Sequence, residues 1–479
     1  MRTDAIRVLF LATCALLGLA ALSTAWAGPK IETWETAKGA RVLFVSAPDL
    51  PILDVQLVLD AGSAREGERS GLANLTAAML AQGAGEWGAD TIAERIESVG
   101  AQLSITASRD SATLSLRTLT EQPAMDIALQ TAAKVLSEPS FAETDFERVR
   151  ENTLVGLRQD EEDPGTVASK AIYRKIFGDH PYASDPAGTL ETVGTMRRED
   201  LVQFHRRYYV ASNAVLAIVG AISHAEAREV AERLTSGLEA GEPPPQLPPV
   251  PDLPDEILEK LSFPSSQTHI YVGQPGMRRL DPDYFPLYVG NHILGGSGLV
   301  SLLSEEVREK RGLSYSVYSY FLPMSQRGPF LMGLQTKNDR ASEAREILME
   351  TVRRFRDKGP TGDELAAAIK NITGGFPLRI ASNSKVVQYV ATIGFYGLPI
   401  DYLDRFSERV SEVSAEQIRD AFRRRVHPDR FATVIVGPQE NRLADTENHS
   451  EAGDPFPART DATQTTAAKS CHPRLRVCS

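Results

Sequence analysis

The chain has 479 residues, of which 42% are hydrophobic and 24% are charged, and its formal net charge is −11. This length is sufficient for two or three domains. The acidic balance disfavours a nucleic-acid partner, because the phosphate backbone attracts basic surfaces. Beyond the N-terminal segment, no stretch is long and apolar enough to span a bilayer, so we expect the mature chain to be soluble.

The first 27 residues have the three parts of a secretory signal. Arg2 and Arg7 supply a positive start, an apolar run covers residues 8–21, and Ala25-Trp26-Ala27 fits an A-x-A cleavage site. The apolar run is shorter than the ~20 residues that a spanning helix needs, so cleavage is favoured over anchoring. We therefore expect a periplasmic protein, if the source is a Gram-negative bacterium.

Residues 28–237 are predicted to form one α+β domain. Apolar and alternating patterns predict strands at 42–45 and 54–60, and two further strands around a turn at Arg109-Asp110. A capping box is predicted at 91–94. Long helical patterns follow at about 122–137, 142–160 and 165–177. His180 lies before a proline after these helices, and we expect a structural rather than a catalytic histidine there.

A shorter helix is predicted after the strand at 54–60. Leu72, Leu75 and Met79 recur at i, i+3 and i+7, the spacing of an apolar stripe on a helix. Ser70 is the predicted N-cap of this helix, and Gly83 is the predicted stop.

Residues 238–256 form a proline-rich run, which is typical of a semi-rigid extended spacer. A PxxP signalling ligand is the alternative, and a linker between two halves is favoured. Residues 257–438 are predicted to be a second domain that repeats the first. The repeat rests on residues separated by 217 positions, and its matched pairs include Glu199 with Glu416, Arg206 with Arg423, and Gly220 with Gly437. A period of this length indicates duplicated domains rather than a solenoid.

Residues 439–479 are rich in Asp, Glu, Thr, Asn and Ala without periodicity, and we expect a disordered tail. Cys471 and Cys478 lie in this tail and are the only cysteines left after signal cleavage. In an oxidising compartment these two cysteines can form a disulfide that closes a small loop. With His472 they would be a weak metal site.

The segment 57–80 resembles the hallmark region of the pitrilysin/insulinase zinc peptidases, the inverzincins. In that family the helix after Gly-Leu-Ala carries H-x-x-E-H, two histidines for the metal and a glutamate for the water. The equivalent positions here are Asn74, Ala77 and Ala78, and the third ligand position, eight residues before an acidic-Pro pair, is Gly156. Zinc requires imidazole, thiolate or carboxylate ligands. The resemblance therefore implies the family scaffold with a degenerate zinc site and no metal bound by this chain.

A glycine-rich motif marks the second half. Residues 294–298 read Leu-Gly-Gly-Ser-Gly and precede a predicted helix at 302–310. This run lacks the Lys-Ser/Thr of a phosphate loop. It resembles the second-domain motif of the same family, in which an arginine and a tyrosine seven residues apart bind the substrate backbone. The resemblance assigns that role to Arg308 and Tyr315, and the alternative is an arginine on a solvated helix and a tyrosine in a strand.

These observations predict two homologous α+β roll domains, each with an antiparallel sheet packed against helices, joined by the proline-rich linker. The function implied by the resemblance is the non-catalytic subunit of a heterodimeric zinc metallopeptidase. A homologous partner would supply the zinc and the catalytic glutamate, and this chain would bind peptide or unfolded-protein substrates. The alternative is a stand-alone pseudopeptidase that binds peptides or scaffolds envelope proteins. An independent hydrolase is disfavoured, because the chain has no G-x-S-x-G elbow and no cysteine between residues 15 and 470.

Overall fold

The computed structural model describes residues 30–438. The predicted signal peptide, the predicted disordered tail and the cysteines at 471 and 478 lie outside the described residues. Within residues 30–438, no helix combines the length and the apolar character needed to cross a membrane.

The first half is built on a six-stranded sheet in the order β1-β2-β8-β3-β7-β6. Its strands are β1 (Glu32–Glu35), β2 (Arg41–Ser46), β3 (Ile52–Leu59), β6 (Gln102–Ala107), β7 (Ala112–Leu119) and β8 (Ala214–Gly220), and β4 (Gly83–Ala84) with β5 (Trp87–Gly88) forms a separate hairpin. All neighbouring pairs of the six-stranded sheet are antiparallel except β2 and β8, which run parallel. The helices of this half are α1 (Leu72–Leu80), α2 (Ala89–Glu97), α3 (Ala124–Ser137), α4 (Glu143–Glu161), α5 (Pro164–Phe177), α6 (Leu190–Thr195), α7 (Arg198–Tyr208) and α8 (His224–Thr235).

The second half has a five-stranded sheet in the order β11-β12-β10-β13-β9. Its strands are β9 (Ile257–Ser262), β10 (Gln267–Pro275), β11 (Val317–Phe321), β12 (Pro329–Lys337) and β13 (Ala432–Gly437), with β9 and β13 as the parallel pair. Its helices are α9 (Tyr284–Asn291), α10 (Ala341–Lys358), α11 (Gly362–Arg379), α12 (Asn383–Tyr396), α13 (Tyr402–Ser411) and α14 (Ala415–Arg425). Two π-helical segments, His292–Gly296 and Ser304–Glu309, flank the glycine-rich motif.

The two halves repeat one another in most of their elements, as predicted. The first residues of α3, α7 and β7 each lie 217 residues before those of α10, α14 and β12. The pairs α4/α11, α5/α12 and β3/β10 keep this offset within two residues, and α1 aligns with the end of α9 and the π-helical segment after it. The fold class is α+β with two homologous halves, and each mainly antiparallel sheet contains one parallel pair.

The repeated strands that end in Val-Gly, β8 and β13, lie inside the two sheets and not at their edges. β8 lies between β2 and β3, and β13 lies between β10 and β9. Both strands are almost continuously buried, because helices or neighbouring segments cover both of their faces.

Each half lends one helix to the sheet of the other. α5 of the first half packs on β10 and β13, and α12 of the second half packs on β2, β3 and β8. Two glycines allow the close approach: a Cβ at Gly394 on α12 would lie 2.5 Å from atoms of Leu43 and Val215, and one at Gly273 on β10 would lie 2.9 Å from Ile176. The two sheets are therefore interlocked, and residues 30–438 fall within one contact unit.

Asp110 is the centre of the polar contact between the halves. Its Oδ1 accepts a hydrogen bond from the Tyr182 hydroxyl at 2.5 Å, and its Oδ2 accepts from the Ser325 backbone N–H at 2.8 Å and the Tyr396 hydroxyl at 3.0 Å. The Tyr182 hydroxyl also accepts from the Gln326 backbone N–H at 3.0 Å. Asp110 is only 4% exposed, so this buried carboxylate is stabilised by donors from both halves.

Residues 238–256 form no helix or strand and are fastened to the molecule along their length. Leu247, Val250 and Leu253 are buried in the cluster that surrounds α5. The Pro245 carbonyl accepts a hydrogen bond from Arg65 at 2.6 Å, and the Val250 carbonyl accepts one from Arg327 at 2.6 Å. This segment thus contacts both halves directly.

Candidate functional site

The helix α1 begins in a way that the sequence did not reveal. Gly71 precedes it with φ +96°, and the Glu66 carboxylate accepts hydrogen bonds from the backbone N–H groups of Gly71 at 3.0 Å and Ala73 at 2.7 Å. Burial raises the pKa of Glu66 to about 8, although both hydrogen bonds favour its charged form. Ser70 instead donates to the Asp185 carbonyl at 2.8 Å, so its predicted role as N-cap is wrong.

Two further boundary predictions are wrong. The helix ends at Leu80, with Ala81 as its C-cap, and Gly83 pairs with Gly88 in the β4–β5 hairpin instead of stopping the helix. The predicted capping box at 91–94 lies inside α2, which already begins at Ala89 after Gly88.

The degenerate zinc positions lie on two helices that pack together, α1 and α4. Asn74 is half-buried, Ala77 is 2% exposed and Ala78 is exposed on α1. Gly156 lies on α4, and a Cβ built there meets no atom within 4 Å, so the space beside it is open. The helix pair of a metal site is therefore in place without its ligands, because alanine and glycine provide no donor and an asparagine amide is a poor one.

The residues present do not fit a zinc ion. Among residues 30–438, no group of three or more His, Cys, Asp and Glu side chains has an arrangement that could hold a metal. No hydrolytic step can therefore be derived from this helix pair.

Arg308 and Tyr315 lie on either side of a tight turn in the second half. Arg308 is half-buried in the π-helical segment 304–309, Gly312 turns the chain with φ +60°, and Tyr315 lies two residues before β11 with 84% of its surface exposed. Within the described part of the chain, neither the Arg308 guanidinium nor the Tyr315 hydroxyl has a hydrogen bond or an ion pair. The structure does not bring the two side chains into contact with each other, and it leaves their donors free for a ligand.

Glu306 anchors this turn and was missed in the sequence analysis. Its carboxylate accepts hydrogen bonds from Arg311 at 2.7 Å, Arg354 at 3.0 Å and Lys310 at 3.1 Å. Burial alone would raise the pKa of Glu306, but the bonds from Arg311, Lys310 and Arg354 outweigh it and lower the pKa to about 2. The i,i+4 spacing of Glu306 and Lys310 was the available signal.

His180 has the structural position that the sequence favoured. Its Nε2 lies 2.9 Å from the Pro248 carbonyl, which is only an acceptor, so Nε2 carries the proton. Its Nδ1 accepts from the Tyr182 backbone N–H at 3.1 Å. Nε2 thus holds the segment 238–256 against the first half, and Nδ1 fixes the ring within its own turn.

Comparisons with known proteins agree with the repeated fold. The family model described as "Insulinase (Peptidase family M16)" matches residues 41–189, and the model described as "Peptidase M16 inactive domain" matches residues 195–372. A solved structure described as the peptidase M16 inactive domain from Pseudomonas fluorescens is 35% identical, with a TM-score of 0.83, and covers 86% of this chain and 98% of that one.

Two curated relatives carry different descriptions. The protein named non-peptidase homolog YmxG of Helicobacter pylori is 27% identical over 380 residues, which is 78% of this chain and 86% of that protein. The protein named uncharacterized zinc protease YmxG of Bacillus subtilis is 24% identical over 415 residues, which is 86% of this chain and 99% of that protein. The comparisons thus extend over most of both halves, and the chain belongs to the insulinase family, peptidase family M16.

Proposed function

We propose that this chain is the non-catalytic subunit of a heterodimeric zinc metallopeptidase of the cell envelope. In this proposal a homologous partner carries the zinc and the catalytic glutamate, and the present chain binds the substrate peptide through its second half. The observation that carries the proposal is a contrast between the halves. The first half has lost every zinc-ligand position, whereas the second half retains Arg308 and Tyr315 with unused donors.

The chemistry of this pair suits a peptide backbone. A guanidinium and a phenol hydroxyl both donate hydrogen bonds, and a peptide carbonyl accepts two. Glu306 fixes the turn between the two residues, so that substrate binding does not have to order the turn from a disordered state. The names of the Helicobacter pylori and Pseudomonas fluorescens relatives support a member of the family without peptidase activity of its own.

The test is to substitute Arg308→Ala or Tyr315→Phe in this chain alone and to assemble it with the zinc-bearing partner. We expect kcat/KM of the complex for a peptide to fall by on the order of ten-fold or more, because a hydrogen bond from a charged donor contributes about 1.5–3 kcal/mol. Partner binding and zinc content should be unchanged. Arg423→Ala, an exposed arginine on α14, is the matched control for loss of one positive charge.

Unchanged peptidase activity of the two variant complexes would contradict the proposal. Intact, zinc-loaded complexes with unchanged peptidase kinetics for both variants would show that this chain contributes nothing to substrate binding there. The alternative of a peptide-binding or scaffolding pseudopeptidase would then replace the proposal.

A further inference from the structure

A second group of polar side chains lies in the second half, where α11 ends beside α9 and α12. It consists of Arg279, Arg379, Tyr288 and Tyr389, and it is called the guanidinium cluster below. All four side chains are half-buried. None of them is part of the Arg308–Tyr315 turn or of the degenerate zinc positions.

Arg379 is held in place by a phenol. Its Nη1 donates to the Tyr288 hydroxyl at 2.9 Å. Burial raises the pKa of the Tyr389 phenol, and the nearby positive charge of Arg379 opposes that rise. Tyr288 is itself stacked on Tyr284, with ring centroids 5.9 Å apart. Because a guanidinium has five N–H donors, these contacts fix the plane of Arg379 and leave donors over.

Arg279 adds a second positive charge. Its guanidinium lies 5.1 Å from the centre of the Tyr396 ring, and its charge acts on the Tyr389 phenol as well. The Nε of Arg279 is buried without a hydrogen-bond partner in the described part of the chain. Buried donors of this kind are normally satisfied, so the orphaned Nε indicates that an acceptor belongs there.

The cluster lacks the counterions that other partly buried arginines of this protein have. Arg65 pairs with Asp60, and Arg117 pairs with Asp54. Within residues 30–438, no carboxylate lies within ion-pair distance of Arg279 or Arg379. The Oδ2 of Asp110 is hydrogen-bonded to the Tyr396 hydroxyl rather than to either guanidinium.

We infer that the guanidinium cluster is a binding site for a carboxylate group of a peptide. Two guanidinium groups beside one phenol favour an anion, and the planar fork of arginine matches a carboxylate. Leu378, which precedes Arg379 at the end of α11, is an apolar side chain that is 70% exposed. The inference rests on the proposed function only in taking the ligand to be a peptide.

Two members of the cluster, Tyr288 on α9 and Arg379 on α11, lie on helices that have counterparts in the first half. The end of α9 with its π-helical segment is the counterpart of α1, and α11 is the counterpart of α4. The helix pair that would carry zinc in the first half thus has, in the second half, an equivalent that carries positive charge. The π-helical segment His292–Gly296 packs directly against α11.

The test uses the full mature chain and a fluorescein-labelled ten-residue peptide in three forms. One form has two internal glutamates and an amidated C-terminus. The second has glutamines and a free C-terminal carboxylate, and the third has glutamines and an amidated C-terminus. Fluorescence anisotropy gives the Kd of each. We expect one or both acidic forms to bind on the order of ten-fold more tightly than the neutral form, and the form that does so identifies the source of the carboxylate.

Variants locate the site. Arg379→Gln and Arg279→Gln should each remove most of the preference for the acidic peptides, and Arg379→Lys should remove part of it, because lysine keeps the charge without the fork. Arg228→Gln is the matched control, since Arg228 also lies over an aromatic ring, that of Trp34, and has no ion pair in the described chain. Melting curves identify any variant that fails to fold. If Arg379→Gln is unfolded, Arg279→Gln still tests the site, because the Nε of Arg279 makes no hydrogen bond that the substitution would break.

Equal binding of all three peptides, no binding of any, or equal effects of Arg279→Gln and Arg228→Gln would overturn the inference. These outcomes are separate from failure of the proposed function. Tight binding of acidic peptides without any recovered partner would leave the carboxylate site standing and refute the subunit role. Equal binding of all three peptides would leave peptide binding standing and refute the carboxylate site.

Discussion

Substitution of Glu306 by glutamine tests how the Arg308–Tyr315 turn is held. The carboxylate accepts from Arg311, Arg354 and Lys310, and its pKa falls from an ordinary value of 4.5 to about 2. A difference of that size corresponds to ~3 kcal/mol of preference for the charged form in the folded state. The partner side chains are 35–50% exposed, so solvent screening reduces the expected contribution to about 1–2 kcal/mol.

The sign of the pH dependence follows from the lowered pKa. As the pH falls, the unfolded chain takes up the proton near pH 4.5, whereas folded Glu306 stays charged until about pH 2. The stabilisation by Glu306 is therefore complete above pH 4.5 and is lost between pH 4.5 and 2. Glu306→Gln should cost about 1–2 kcal/mol at pH 7, and the difference between wild type and variant should shrink by more than half at pH 3.

The assay is urea unfolding of both proteins at pH 7 and pH 3, followed by tryptophan fluorescence. Glu343→Gln is the matched control, because Glu343 also pairs with an arginine, Arg340, but on the exposed surface. The control should change stability little at either pH. Equal stability of Glu306→Gln and wild type at pH 7, or a difference that does not change with pH, would refute this account of the turn.

Other parts of the molecule give further expectations. Asp110→Asn should destabilise the protein by roughly 3 kcal/mol, because it places an amide donor against donors from both halves. The control Asp126→Asn removes a carboxylate from an exposed pair with Arg233, and it should destabilise the protein much less in the same denaturation experiment. Burial lowers the pKa of His205 to about 4, so the protein should lose ~1.4 kcal/mol of stability for each unit by which the pH falls from 6.5 to 4. The variant His205→Gln should lack this loss and should have a flatter profile of stability against pH. Elemental analysis should find no stoichiometric zinc in the mature wild-type chain, and one tightly held zinc per molecule would contradict the degenerate site; metal binding should require the joint restoration Asn74→His, Ala77→Glu, Ala78→His and Gly156→Glu.

The elements that the sequence predicted correctly are those with strong local periodicity. The helices at 124–137, 143–161 and 164–177 all lie within two residues of their expected ends, and two strands flank Arg109-Asp110 as predicted. The repeat was also predictable, because identical residues recur 217 positions apart without a gap. Local patterns of this kind report on neighbouring residues of the same element.

Features that depend on distant residues could not be predicted in the same way. Glu66 replaces Ser70 at the start of α1 because Gly71 adopts a left-handed conformation, which no periodicity reveals. The exchange of α5 and α12 between the sheets likewise requires the tertiary fold, since an apolar helix face does not specify which sheet covers it. Of the site residues, Arg308 and Tyr315 were found through the family motif. The guanidinium cluster was not, because its arginines are 100 residues apart in the chain.

The subunit role is tested most directly by native mass spectrometry of the full chain, affinity-purified from the envelope of its own host. The proposal predicts a one-to-one complex with a homologous chain that contains H-x-x-E-H and one zinc ion, and peptide hydrolysis by the complex but by neither chain alone. A monomer, or an assembly of this chain only, with no zinc-bearing homologue and no associated peptidase activity, would contradict it.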